Sequence, residues 1–392
     1  MKRLAIITTH PIQYNAPLFT LLSGSDTILP KVFYTWGSSG KGDKYDPDFG
    51  KNIEWDIPLF EGYEYTFVKN TASDPGSHHF KGIINPTLNK EIEEWQPDFV
   101  LVFGWSFDSH LRCLRYFHGK VPVLFRGDST LLDEAPGIKK WVRRFFLRWV
   151  YRHVDYALYV GTNNKEYFLA HGMRNEQLIF APHAIDNKRF AEPDYLYRQE
   201  AQQWKKELGI DEKDLVVLFA GKLEPKKNPF FLLELAKRTE SKRVKFIFSG
   251  NGQMEEELKN RAGNDARFHF IDFQNQSKMP VVYRLCDIFI LPSKGPGETW
   301  GLAANEAMAS GCILMLSDRV GGSIDLVGEG KNGICFGLTD FEKCHLFLGD
   351  LLVDPAKVRF MKQNSESQVS HFSYGNILQA IEAACGAGRE IN

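Results

Sequence analysis

Short apolar runs alternate with longer amphipathic stretches through most of the chain, and that alternation predicts βα units stacked around parallel sheets. The runs read as strands at Leu4–Thr8, Val32–Thr35, Phe99–Phe103, Val121–Phe125 and Tyr156–Val160. A second set follows at Leu215–Ala220, Val244–Ser249, Phe268–Ile271, Ile288–Leu291 and Ile313–Leu316. Between the sets, Asp186 to Asp214 is charged, carries no buried strand and ends where a new strand begins, which marks a domain boundary. The pattern predicts an α/β protein of two Rossmann-like domains, with parallel sheets facing a central cleft. The expected divisions are residues 1–195, residues 196–373, and a C-terminal segment 374–392 whose amphipathic part, Tyr374 to Ala387, can pack back on the N-terminal domain. Open α/β sheets bind ligands beyond the carboxyl ends of their strands, so function is sought in the loops there.

Size agrees with two domains, since 392 residues, 43% of them hydrophobic, exceed one ordinary core. The formal net charge of -1 argues against a globally basic nucleic-acid binder. Six cysteines lie scattered without a C-x-x-C pair, mostly in apolar surroundings, which fits buried thiols and a reducing cytoplasm. The start, MKRLAIITTH, has too short an apolar run for a signal peptide and reads as a first strand. No apolar stretch reaches the ~20 residues of a membrane span, so the chain is expected to be soluble or to rest on a membrane surface.

Chemistry concentrates in three segments of the second half. In LPSKGPGETWGLAANEAMASG a strand gives way to a Gly- and Pro-rich loop and then a helix opening near Gly301 and stopping at Gly311. The amides of Trp300, Gly301 and Leu302, with Thr299 beside them, form an anion site of the kind found at helix amino ends, suited to a diphosphate. Glu298 precedes this helix and Glu306 lies within it, about two turns on, so the two carboxylates have different duties. Taken singly, Glu306 also reads as a solvated helix residue and Glu298 as an acid favouring the helix dipole. In FAGKLEPKKNPF, Gly221 ends a strand and Lys222 and Lys227 follow on a loop, where they either supply mobile charge for phosphates or are solvated surface. The third segment, FSGNGQME, is a glycine turn with Gly250, Asn251 and Gly252 between a strand and a helix.

In this order the three segments resemble the donor-binding domain of glycosyltransferase family 4, a retaining family with the GT-B fold. The resemblance covers about residues 215 to 340 and includes the later GGSIDLV and NGICF turns. It implies donor binding by Gly221, Lys222, Lys227, Gly250, Asn251, Glu298, Thr299, Trp300, Gly301, Leu302 and Glu306. Lys222 and Lys227 would neutralise the diphosphate, Glu306 would accept from the ribose hydroxyls, and Glu298 would touch the donor sugar near its reacting carbon. Glu298, Lys227 and Lys222 are the catalytic candidates. The leaving diphosphate develops charge that fixed cations stabilise, so no metal or other cofactor is expected; the donor half has no Asp-x-Asp motif. The implied activity is transfer of a hexose-type sugar from a UDP- or GDP-sugar to a glycan or lipid-linked acceptor, in cell-surface polysaccharide or glycoconjugate synthesis. Departures from the family are Lys222 where Arg is common, His183 where Asn is usual, a first loop without its glycines, and Asp128 near the position of a His.

Candidate acceptor residues are His10, Gln13 and Tyr14 after the first strand, and Arg126 and Asp128 after another. His10 also reads as part of a tight turn, and Arg126 with Asp128 as a structural ion pair. The stretch IKKWVRRFFLRWVYR places Lys140, Arg144 and Arg148 four apart among aromatics. It either meets an anionic membrane surface, making the protein peripheral on the inner face of the membrane, or packs its aromatics inward and leaves the arginines in water. Two alternatives to the transferase are a sugar-nucleotide epimerase of related fold and a non-catalytic nucleotide-sugar-binding membrane scaffold. A glycosidase fits poorly, because its two carboxylates must flank one bond.

Overall fold

The computed structural model describes residues 1–37, 44–46, 51–53 and 56–387. The chain divides into two compact units: unit 1 is Met1–Gly42, Ile57–His183 and Tyr374–Asn392, and unit 2 is Asp43–Asp56 and Ala184–Ser373. Unit 1 carries β1 (Lys2–Thr8), β2 (Ile28–Tyr34), β5 (Glu64–Phe67), β6 (Phe99–Phe103), β7 (Val123–Arg126), β8 (Tyr156–Tyr159) and β9 (Leu178–Phe180). They form one seven-stranded sheet in the order β5-β2-β1-β6-β7-β8-β9, parallel throughout. β3 (Lys44–Asp46) and β4 (Lys51–Ile53) are a separate antiparallel pair. Unit 2 carries β10 (Leu215–Ala220), β11 (Val244–Ser249), β12 (Phe268–Ile271), β13 (Ile288–Leu291), β14 (Ile313–Ser317) and β15 (Gly333–Phe336). Their order, β12-β11-β10-β13-β14-β15, is again fully parallel. Both sheets are Rossmann-like, each reversing direction once beside its first strand, at β1/β6 and at β10/β13.

The strands that the apolar runs predict are the interior strands of both sheets and the edge strand β12. β10, LVVLFA, is buried at all six positions, as helices on both faces of a parallel sheet require. Its unit has a core of Val217, Phe219, Phe246, Phe248 and Ile290 under Leu232, Leu235 and Leu348. Unit 1 repeats the plan with Ile7, Val100, Val102, Val123 and Phe125 beneath Leu114, Leu147 and Phe168. β5, β9 and β15 were not predicted as strands. Each is a short edge strand, and β5 and β9 are half-exposed or exposed along their whole length, which removes the apolar signal. β15 is the NGICF segment, expected only as a closing turn.

The division between units falls at His183/Ala184 rather than after residue 195. The segment beginning at Asp186 is tied to unit 2 by hydrogen bonds. Asp186 caps the helix Asn187–Ala191 through Arg189 N. The Arg189 guanidinium donates to the Gln276 side-chain oxygen at 2.8 Å, and Asn187 Nδ2 donates to the carbonyls of Val369 and Phe372. The last helix, Tyr374–Ala387, belongs to unit 1. It buries Ile377, Ile381, Ala384 and Cys385 against the helix Ala16–Ser23 and strands β8 and β9. Glu382 Oε1 accepts from Ser25 Oγ at 2.7 Å and Thr27 Oγ1 at 2.8 Å. The cysteines are free thiols, five of them buried.

Candidate functional site

In unit 2 the loops after β10 and β13 leave the sheet side by side at its reversal point. The first carries Lys227 at the end of a 3-10 turn, Pro225–Lys227. Asn228 then takes a left-handed conformation, φ 54° and ψ 49°, and leads into the helix Phe230–Arg238. The second carries Ser293, directly after Pro292, and Glu298. Lys227 Nζ forms an ion pair with Glu298 Oε2, and Ser293 Oγ donates to the same oxygen at 2.9 Å. Lys294 N donates to Lys226 O at 2.9 Å, joining the two loops through their backbones. Glu298 is 9% exposed, and the cation and the hydrogen bond together offset the cost of removing a carboxylate from water.

A third loop fixes the backbone around Glu298. Gly321 N donates to Glu298 O at 2.9 Å and Gly322 N to Trp300 O at 3.0 Å. Trp300 is buried, with Nε1 donating to Asn305 Oδ1 at 2.8 Å and its ring 5.8 Å from that of Phe372. Its side chain anchors the loop. Thr299 is half-buried between these two residues. Gly301 has φ 93°, and a Cβ there would lie 2.9 Å from Val320 Cγ1. That left-handed residue starts the helix Leu302–Ala309, whose first turn has no side-chain cap, leaving its amino end suited to an anion. Within the helix Glu306 is 3% exposed and accepts from Tyr283 OH at 2.7 Å, so it is a buried, oriented carboxylate rather than a solvated one.

Lys222 is half-buried just after β10, beside Gly221, whose amide bonds Ser249 O at 3.0 Å. The glycine turn after β11 presses on this loop: a Cβ on Gly250 would come within 2.2 Å of Gly221 O, and one on Gly252 within 2.5 Å of Leu223 O. Asn251 joins three loops. Its Nδ2 donates to Glu255 Oε2 at 2.8 Å and Asp272 Oδ1 at 3.1 Å, its Oδ1 accepts from Phe273 N at 2.9 Å, and its carbonyl accepts from Leu223 N. The turn therefore sets the position of the lysine loop.

In unit 1, His10 and Tyr14 follow β1 at the corresponding reversal point, with half-buried Gln13 between them. His10 Nδ1 is 3.0 Å from Thr9 Oγ1 and its ring meets Trp36 edge-on at 5.1 Å. Tyr14 O accepts from Tyr374 OH at 3.0 Å, tying this loop to the last helix. Arg126 is 6% exposed and donates to Ala181 O at 2.8 Å and Pro182 O at 2.9 Å. Burial lowers it to about 10, with Asp128 opposing that shift. Asp128 Oδ2 lies 3.6 Å from His183 Nε2, and burial lowers His183 despite Asp128. Arg126 thus clamps the segment leading to His183.

The basic helix spans Ile138–Tyr151. Lys140 and Arg144 both turn to Glu134, at 2.9 and 2.7 Å, while Arg148 is exposed. The inward-packed reading of its aromatics holds for Trp149, which packs on the core beside Leu147, Val150 and Tyr151, and fails for Trp141 and Phe145, which are 69% and 79% exposed. Among the described residues one cluster of groups able to ligate a metal was not anticipated from the sequence. Asp74, His78 and His79 of unit 1 bring ligand atoms within 4.8 Å of one another. No helix of the described residues is long and apolar enough to cross a membrane.

Ser293 and Tyr283, which orient the two glutamates, were also missed. Ser293 was readable in principle from its position two residues beyond a strand end. Tyr283 lies on another helix, Met279–Arg284, and nothing in its local sequence signals a partner.

Residues 200–368 match the family model for glycosyl transferases group 1. The chain is 32% identical over 184 residues to a D-inositol 3-phosphate glycosyltransferase of Corynebacterium efficiens, covering 43% of this chain and 42% of that protein. The chain thus spans about two fifths of the length of such curated relatives. Among solved structures, a glycosyltransferase from Rickettsia africae has a TM-score of 0.73 at 11% identity, covering 100% of this chain and 99% of that one. HepE of Anabaena in complex with UDP has a TM-score of 0.71 at 17% identity, covering 99% of this chain and 100% of that one. At those identities the likeness speaks for the fold: two Rossmann-like domains with parallel sheets, as in GT-B glycosyltransferases.

Proposed function

We propose that the chain is a retaining glycosyltransferase that moves a sugar from a nucleoside diphosphate sugar onto a glycan or lipid-linked acceptor held by unit 1. The observation that carries this reading is the Lys227–Glu298–Ser293 cluster beside the amino end of Leu302–Ala309, at the reversal point of the unit 2 sheet and within the matched residues 200–368. UDP is the donor base to test first, since HepE carries it, with GDP next. The epimerase alternative is set aside because the matched stretch and the named relatives are glycosyltransferases.

In the reaction the bond from the anomeric carbon to the β-phosphate oxygen breaks, its electron pair staying on the diphosphate. An acceptor hydroxyl bonds to the anomeric carbon and its proton passes to the departing diphosphate oxygen. The charge that grows on the diphosphate meets Lys227, Lys222 and the helix amino end, so the chain's own groups supply the stabilisation and no metal is needed. An ammonium has three donors, and the pair with Glu298 occupies one of them. Glu298, fixed by Ser293, faces the sugar. Glu306 accepts from the ribose; a carboxylate takes up to about four hydrogen bonds, so the Tyr283 bond orients it without exhausting it.

Titration calorimetry with UDP and GDP, with and without a chelator, tests the donor side. Lys227→Ala should weaken diphosphate binding by about tenfold to a hundredfold, the worth of a charge-assisted hydrogen bond. Glu298→Gln should lower turnover far more than nucleotide affinity. Proton NMR of the first product formed should show the donor's anomeric configuration. If both variants transfer sugar at the normal rate, the assignment fails.

A further inference from the structure

Among the described residues, seventeen large hydrophobic side chains are exposed, and five of them, Ile138, Trp141, Val142, Phe145 and Phe146, lie on one helix. The other twelve are dispersed over the chain, so this concentration needs its own explanation. Ile138, Trp141, Val142 and Phe145 are 83%, 69%, 64% and 79% exposed and are spaced as one continuous stripe at about 100° per residue. The helix packs by its other side, through Leu147, Val150 and Tyr151. Phe146 leans on Trp105 at 5.4 Å, and Trp149 on Phe146 and His153, so only the stripe lacks a core contact.

Charge identifies what covers it. The helix holds five cations, Lys139, Lys140, Arg143, Arg144 and Arg148, and no acid. Lys140 and Arg144 are taken up by Glu134. Lys139 and Arg143 remain exposed on one flank of the helix beyond Val142, Arg143 the farther from the stripe, and Arg148 borders the stripe on the other side. Apolar and aromatic groups bordered by cations match the interface of an anionic bilayer, where the rings enter the acyl boundary and the cations meet lipid phosphates. We propose that the stripe Ile138, Trp141, Val142, Phe145, with Lys139, Arg143 and Arg148, docks the protein on an anionic lipid surface. The sequence suggested Lys140, Arg144 and Arg148 for that role; the geometry moves it to the apolar stripe and to Lys139 and Arg143. The docking surface does not rest on the donor-site reading, because no unit 2 residue takes part in it.

Co-sedimentation of the full chain with vesicles tests it. Vesicles containing phosphatidylglycerol should bind the protein at least about tenfold more tightly than pure phosphatidylcholine vesicles, and added salt should narrow the gap. Trp141→Ser with Phe145→Ser, and separately Lys139→Glu with Arg143→Glu, should each lower binding to the phosphatidylglycerol vesicles about tenfold or more while leaving the thermal midpoint unchanged. Both pairs are at the surface, so folding is spared. Equal binding to both lipids, no sedimentation with either, or a dimer in solution that the Trp141→Ser/Phe145→Ser variant dissociates would each overturn the proposal, the last by showing that a second copy covers the stripe.

Discussion

Tyr283 and Glu306 make a pair whose removal has a readable cost. Phenylalanine at 283 keeps the ring and deletes the donor, leaving Glu306, 3% exposed, without its 2.7 Å hydrogen bond. Tyr283→Phe should therefore destabilise the protein by about 1 to 3 kcal/mol in urea unfolding and should weaken UDP binding as Glu306 loses its orientation. Unchanged affinity would place Glu306 away from the nucleotide. Of the candidate site, Lys227, Glu298 and Glu306 are legible in the chain because their ordered segments resemble a known donor-binding domain; taken singly, Lys227 and Glu306 also read as solvated surface. Their partners are not legible. Ser293 reaches Glu298 within one loop, but Tyr283 reaches Glu306 from a different helix, and local sequence does not encode that approach. Arg126 makes the same point: its proximity to Asp128 in sequence suggested a pair, whereas its guanidinium is held by carbonyls fifty-five and fifty-six residues away.

At the scale of elements, the glycine turn after β11 and the last helix carry consequences that can be measured. Gly250 has φ 132° and no room for a Cβ against Gly221 O. Gly250→Ala should cost about 3 kcal/mol in denaturant unfolding, from strain and backbone displacement together, and should weaken diphosphate binding by shifting the lysine loop. A variant as stable as the parent would show that the two loops can part without loss. Deleting residues 374–392 exposes the pockets of Ile377 and Ile381 and should remove at least about 3 kcal/mol of stability, seen as an earlier unfolding transition. Central strands such as β10 announced themselves as unbroken apolar runs. Edge strands β5 and β9 did not, because one covered face at most leaves mixed composition, and their existence depends on the neighbour they pair with.

For the molecule as a whole, stability should fall in mild acid, between about pH 6.5 and 4. His110 is fully buried, with Nδ1 near the carbonyls of Phe103 and Gly104 and Nε2 2.9 Å from Thr35 Oγ1. Burial lowers it to about 4 from 6.5. The unfolded chain binds a proton there before the folded one does, so this contribution is complete above pH 6.5, shrinks as pH falls, and is gone near pH 4. At about 1.4 kcal/mol per pH unit it is worth about 3 kcal/mol. Burial also lowers His153, His171, His183 and His269, so they act in the same direction. Thermal midpoints across that window should drop as acid is added, and His110→Gln should flatten the slope; an unchanged slope would remove His110 as its source.

Unit 1 is assembled from stretches of chain that lie on both sides of Ala184–Ser373, the bulk of unit 2. On the ribosome its sheet is translated first, yet the helix that covers β8 and β9 is made only after the whole of unit 2. The nascent N-terminal half must therefore wait, with that apolar face open, while a complete second domain is synthesised. Residues 1–183 produced alone should be prone to aggregation, and a peptide of residues 374–387 supplied in trans should restore their solubility.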